Sequence, residues 1–148
     1  MNILVINGPN LNMLGKREPE IYGAMTYDEL VTCIQDAAKT LDVQVEIFQS
    51  NSEAEIVDTI QEAHRFNGII INAGAYTHTS IAIRDALLVW SSRIPIIEVH
   101  LSNIYGREDF RRHSYLSDIA RGIVAGLGVK GYTLALSWLA EEVSGGTR

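Results

Sequence analysis

Glu98 and His100 lie two residues apart at the end of an apolar run with the composition of a strand, so their side chains leave the same face. A carboxylate beside an imidazole orients the ring and favours its protonated form, which suits the pair to giving or taking a proton. Tyr22 is the second candidate for such work. A free tyrosine, with a pKa near ~10, keeps its proton at neutral pH and serves as a base only where a cation favours the phenolate. Arg17, five residues earlier, is placed to be that cation, since a positive charge within ~4–6 Å lowers an acid's pKa. A tyrosine that only packs its loop fits the spacing equally well. His78 belongs to Thr77-His78-Thr79-Ser80, which reads as the mouth of a helix: the backbone there favours an anion, or the hydroxyls simply cap it. His78, Glu98, His100 and His113 are of metal-binding type, but none pairs with another at a zinc-site spacing, and no metal is expected.

Tyr22 and Arg17 sit in the stretch from Asn7 to Gly23, NGPNLNMLGKREPEIYG, which is too broken for helix or sheet and carries Asn10 as well. Leu11, Met13, Leu14 and Ile21 argue against disorder. An irregular connection of this length in a compact domain usually binds something, and an ordered loop without a role is the alternative.

Composition narrows the partners. A net charge of -6 argues against nucleic acid and anionic membrane. A small anionic ligand stays open because Arg107, Arg111 and Arg112 are gathered in one segment. The lone Cys33 excludes an internal disulfide framework and a Cys-rich metal site, suits a cytoplasmic location, and is expected to pack on a helix. The apolar start, Ile3 to Ile6, stops at Asn7-Gly8 and reads as a first strand rather than a signal peptide or membrane span.

Behind these residues, short β-rich runs alternate with amphipathic segments of helix length, the pattern of a parallel sheet with crossover helices. Strands are expected at Ile3 to Ile6, Val43 to Phe48, Gly68 to Ile71, Ile94 to Val99, and from Ile119 to Gly128 with its turn. Thr26 with Glu29, and Ser52 with Glu55, read as capping boxes opening two helices, the second striped by Ile56, Ile60 and Ala63 with His64 half-buried beside them. Further helices are expected at Ile81 to about Trp90 and Tyr132 to Val143, with a fraying tail from Ser144 to Arg148. The Ile81 helix is more apolar than one sheet face requires, which points to a subunit contact. The chain reads as one α/β domain, 1–148.

A five-stranded doubly wound sheet of the flavodoxin kind has order 2-1-3-4-5 and binds ligands beyond the carboxyl ends of its strands. In that arrangement Asn10, Arg17 and Tyr22 face Asn72, His78 and His100. The Gln49-Ser50-Asn51 loop looks like turn and cap material. Asn7-Gly8-Pro9-Asn10 lacks the G-x-G-x-x-G of a dinucleotide site, and Asn7 and Asn72 replace the carboxylates of a response regulator. Two readings survive: cofactor-free acid–base chemistry, or a phosphate- or nucleotide-binding module using Thr77 to Ser80.

Taken in series, Asn7-Gly8-Pro9-Asn10-Leu11-Asn12, Arg17-Glu18, Tyr22-Gly23, Gly74 with Thr77 to Ser80, Arg84-Asp85-Ala86, Glu98-Val99-His100 with Ser102-Asn103, Arg107-Glu108 and Phe110-Arg111 resemble the type II 3-dehydroquinate dehydratases in order and approximate spacing. The likeness runs from the first strand into the last helix. It implies a flavodoxin-like protomer that reversibly removes water from 3-dehydroquinate to give 3-dehydroshikimate on the shikimate route, with no metal or organic cofactor. By the same resemblance Tyr22 is the base, Arg17 stabilises its phenolate, Asn10 holds a water on the enolate, and His100 is the acid, with Glu98 fixing its ring. Asn72, Ser102 and the backbone of Leu101 would bind the substrate carboxylate, and His78 and Arg111 its hydroxyls. Asp85 would reach a neighbouring subunit's site in a dodecamer of four trimers. The one departure noted is Ala73, where many members have proline.

Overall fold

The computed structural model describes residues 1–145. Five parallel strands, β1 (Asn2–Asn7), β2 (Gln44–Gln49), β3 (Gly68–Asn72), β4 (Ile96–His100) and β5 (Gly122–Ala125), pair in the order β2-β1-β3-β4-β5. The strands at the centre are apolar on both faces because each face is covered. Ile3 and Val5 of β1, Ile70 of β3, and Ile97 and Val99 of β4 pack under α2 (Tyr27–Thr40) and α5 (Lys130–Ser144). Leu4, Ile6, Ile69, Ile71 and Ile96 pack on the other side, under α3 (Glu53–Gln61) and α4 (Ile81–Leu88). This is the three-layer, flavodoxin-like arrangement expected.

Several boundaries differ from the sequence reading for local reasons. The Asn7 to Gly23 stretch is not wholly irregular. A 3-10 turn forms at Leu11–Met13, where Leu11 is buried, and α1 (Pro19–Tyr22) adds one helical turn, opened by a proline at its first position. That turn ends at Gly23, with φ of 77° and its N–H on the Pro19 carbonyl. The Thr26–Glu29 capping box forms in both directions. At Ser52 only half a box forms. The hydroxyl accepts from Glu55 N, but the Glu55 carboxylate turns to Ser50 Oγ, which itself accepts from Ser52 N.

His64 is exposed rather than half-buried. The chain tightens into a 3-10 turn at Ala63–Arg65, Ala63 takes the core position, and the imidazole swings outward. The fifth strand is shorter than expected, because Leu116 to Arg121 makes turns before β5 begins at Gly122. Cys33 is half-buried on α2. Of the expected fraying tail, Ser144 closes α5 and Gly145 caps it, and 146–148 lie outside the described residues.

α4 leaves Ile81, Leu88 and Val89 between 43% and 61% exposed, so the surplus apolar surface inferred from its sequence lies on the outside. Among the described residues no helix is long and apolar enough to cross a membrane.

Candidate active site

At the carboxyl ends of β1, β3 and β4 the chain encloses a cavity of about 180 Å³. The close approach of two loops makes its rim. Gly8 N donates to the Asn72 carbonyl, and a Cβ on Gly8 would stand 2.4 Å from the Ala73 carbonyl oxygen, so only glycine lets the strand ends come together. Ala73 adopts φ of -75°, a value a proline ring would also impose, so its backbone keeps the conformation that proline would hold.

The floor is a buried hydrogen-bonded triad. Tyr132 Oη on α5 donates to Asn7 Oδ1 at 2.6 Å and accepts from Asn72 Nδ2 at 2.9 Å, tying the ends of β1 and β3 together. Asn72 Oδ1 accepts from Gly74 N at 3.2 Å, which leaves one Nδ2 hydrogen for the cavity. Full burial raises the Tyr132 pKa far above its usual value, against the hydrogen bond from Asn72, so the group stays a neutral phenol. Tyr132→Phe should leave both amides short of a partner and cost ~1–3 kcal/mol, read as a lower midpoint of urea unfolding with an unchanged slope.

Nine of the eleven residues given a site role in the sequence line this cavity: Asn10, Arg17, Tyr22, Asn72, His78, His100, Leu101, Ser102 and Arg111. Glu98 lies beneath it, fully buried, and Asp85 stands exposed on α4, away from this chain's own cavity. His100 Nε2 donates to Glu98 Oε1 at 2.6 Å, which leaves Nδ1 without a protein partner among the described residues. Burial would raise the Glu98 pKa, but hydrogen bonds from His100, Ser117 and Ser114 outweigh it and hold the group below the usual carboxylate range. His78 lies 6.4 Å from the His100 ring, nearly parallel to it, and its Nδ1 donates to the His113 carbonyl. Partial burial lowers its pKa, so it offers a neutral Nε2 acceptor.

Tyr22 has two guanidinium groups near its ring, Arg17 at 5.1 Å and Arg107 at 5.3 Å from the centroid. The hydrogen bond to the phenol oxygen comes from Arg107, whose Nη1 lies 2.8 Å from Tyr22 Oη. The sequence reading gave Arg107 no role of its own. The available signal was its place in the Arg107, Arg111, Arg112 cluster, read there only as a collective anion site. The structure divides that trio: Arg107 and Arg111 line the cavity, and Arg112 turns outward to Asp109 at 3.4 Å. With Arg17, three guanidinium groups border a small cavity, an electrostatic setting for a small anion.

The loop after β2 does more than turn. Asn51 Oδ1 accepts from Asn10 N at 3.0 Å, and Gln49 Nε2 donates to the Gly8 carbonyl at 3.2 Å, so this loop braces the one that carries Asn10. At the mouth of α4, Ser80 Oγ accepts from Ile83 N at 2.9 Å, which is capping. That bond removes the main support for a phosphate site there. Among the described residues no group of three or more His, Cys, Asp or Glu side chains is arranged to hold a metal.

Fold and site together define a class: a doubly wound α/β protein with an arginine-lined cavity, a tyrosine on one side and a buried Glu–His pair on another. The family model described as Dehydroquinase class II matches residues 1–140. The chain is 57% identical over 145 residues to a 3-dehydroquinate dehydratase of Prochlorococcus marinus (strain MIT 9301), covering 97% of each chain. Type II dehydroquinase structures from Butyrivibrio crossotus and Propionibacterium acnes superpose with TM-scores of 0.91 and 0.89 at 51% and 48% identity. Each covers 94% of this chain, and 97% and 95% of their own. The chain belongs to the class II dehydroquinases.

Proposed function

We propose that the chain is a 3-dehydroquinate dehydratase that forms 3-dehydroshikimate through an enolate, using its own side chains as base and acid. The observation that carries this reading is the pairing of Tyr22, hydrogen-bonded at its phenol oxygen by Arg107, with the buried Glu98–His100 couple on the same cavity. A guanidinium donating to the phenol oxygen stabilises the phenolate a base requires. Tyr22 then removes a proton from the carbon next to the substrate ketone. The electron pair moves onto the carbonyl oxygen as an enolate, which a water held by Asn10 stabilises. Collapse of the enolate forms the new C=C bond and breaks the C–O bond, while His100 gives a proton to the departing hydroxyl, which leaves as water.

Arg17 supplies a second positive charge at Tyr22. The substrate carboxylate is assigned to Asn72, Ser102 and the Leu101 backbone, and its hydroxyls to His78 and Arg111. The short helix from Pro19 to Tyr22, between Gly15 and Gly23, serves as a lid that brings the base to the substrate as it closes. Asp85 sits one helical turn from both Ile81 and Leu88 on an exposed face of α4, which supports a subunit contact there; the dodecamer of four trimers follows only from the family resemblance.

The decisive experiment mixes purified, chelator-treated protein with 3-dehydroquinate and follows the ultraviolet absorbance of the conjugated enone. Growth of that band is expected; a flat trace from folded protein would remove the proposed activity.

A further inference from the structure

Glu98 is fully buried, yet its carboxylate is served by more than His100. Ser114 Oγ donates to Glu98 Oε1 at 2.8 Å and Ser117 Oγ to Oε2 at 2.5 Å. The direction of the first bond is fixed by counting. A serine hydroxyl has one hydrogen and two lone pairs, and Ser114 Oγ already accepts from Leu116 N at 3.0 Å and Ser117 N at 3.1 Å. Its hydrogen is therefore the atom turned to Glu98. With His100 and Ser117 also donating, the pocket presents donors only, which is an environment for a carboxylate and not for a carboxylic acid.

The segment bearing the two serines is itself held in place. Arg84 of α4 clasps the Asp118 carboxylate with both terminal nitrogens and donates to the Tyr115 carbonyl at 2.7 Å. Tyr115 N donates to the Thr77 carbonyl, and Leu116 is buried in the core. Two turns thus brace a pair of hydroxyls against one carboxylate.

We propose that Ser117, with Ser114 beside it, is a positioning residue for His100: the two hydroxyls keep Glu98 as an acceptor-only carboxylate, which holds the proton on His100 Nε2 and stabilises the imidazolium that gives up its Nδ1 proton. The assignment rests on His100 acting as the acid in the proposed reaction. Other charged or titratable groups border the site. They are His78 from the loop after β3, Arg107 and Arg111 from the segment after β4, Arg17 and Tyr22 from the lid, and Tyr132 from α5 at its floor. None of these donates to Glu98.

The cleaner test is Ser117→Ala, because among the described residues Ser117 Oγ bonds only to Glu98, whereas Ser114 Oγ also supports the turn. Two readouts are needed, the carbon-13 titration of the Glu98 carboxyl by NMR and the pH profile of kcat. Ser117→Ala is expected to move the Glu98 titration upward by about one pH unit, a tenfold change in proton affinity. The acid limb of kcat should move up with it, KM should stay within about twofold, and Ser117→Thr, which keeps the hydroxyl, should restore both. A loss of kcat with the Glu98 titration unmoved would reduce Ser117 to a packing role and overturn the proposal, as would wild-type behaviour in both readouts. The carboxyl titration requires no turnover. A wild-type protein inactive on 3-dehydroquinate would therefore remove the proposed reaction while the control of Glu98 by Ser117 is still read directly.

Discussion

Tyr22→Phe should bind substrate with little change and fail to remove its proton, with kcat reduced ~10²- to 10⁴-fold, the span typical of losing a general base. The substitution is well suited to separating base from packing. The ring lies half-buried with Arg17 and Arg107 at 5.1 and 5.3 Å from its centroid, contacts that phenylalanine retains. Only the oxygen that accepts from Arg107 is removed. Arg107 keeps Ser102 Oγ at 3.4 Å and the Glu18 carboxylate at 3.8 Å, so its side chain is not left alone in the cavity.

Solvent exchange of the proton next to the ketone gives the sharper measurement, because it reports the first step whether or not water is later lost. Wild-type protein in deuterium oxide should exchange this proton, and Tyr22→Phe should not. Exchange at the wild-type rate would disqualify Tyr22 as the base and return it to the packing role that its spacing in the sequence equally allowed.

The parts of the fold that were legible in the sequence are those fixed by local chemistry. Thr26 and Glu29 satisfy each other's backbone partners across one helical turn, so the pattern alone located the start of α2. The run Gly68 to Ile71 read as a strand covered on both faces, and it lies at the centre of the sheet. Ser52 and Glu55 show the same pattern with a different outcome, because Ser50, which belongs to neither position, offers its hydroxyl to the glutamate. Two-residue spacing put Glu98 and His100 on one face, and they do meet.

Contacts across large sequence separations were the ones that spacing could not reveal. Arg107 lies 85 residues from Tyr22, and Tyr132 lies 125 residues from Asn7. In each case the sheet order read from the sequence brings the segments together, but it does not say which side chain of one segment meets which atom of the other. Ser114 and Ser117 were silent for a related reason: a serine in a turn is most often a cap, and Ser114 is one, yet both also aim a hydrogen at a buried carboxylate.

His100→Ala should divide the reaction at the other end. With Tyr22 and Arg107 untouched, exchange of the proton next to the ketone should continue, whereas formation of the enone should fall ~10²- to 10⁴-fold, since the departing hydroxyl has lost its proton donor. The variant also removes one of three donors to a carboxylate that is fully buried. Breaking a buried pair costs ~3–5 kcal/mol, and the two serine hydroxyls left in place favour the lower end. A domain with ~5–15 kcal/mol of stability survives that loss, so the kinetic result can be read on folded protein.

The pH dependence of the loss identifies its source. Glu98 has a folded-state pKa below its unfolded value, so its contribution to stability is present above the unfolded pKa and disappears as pH falls through the folded one. Removing His100 takes away part of that contribution. The difference in urea midpoint between wild type and His100→Ala should therefore be present above the ordinary carboxylate range and shrink in acid, as Glu98 becomes protonated in both. A difference independent of pH would mean that the alanine damages packing rather than the charge pair. Enone formation at the wild-type rate would assign the acid elsewhere.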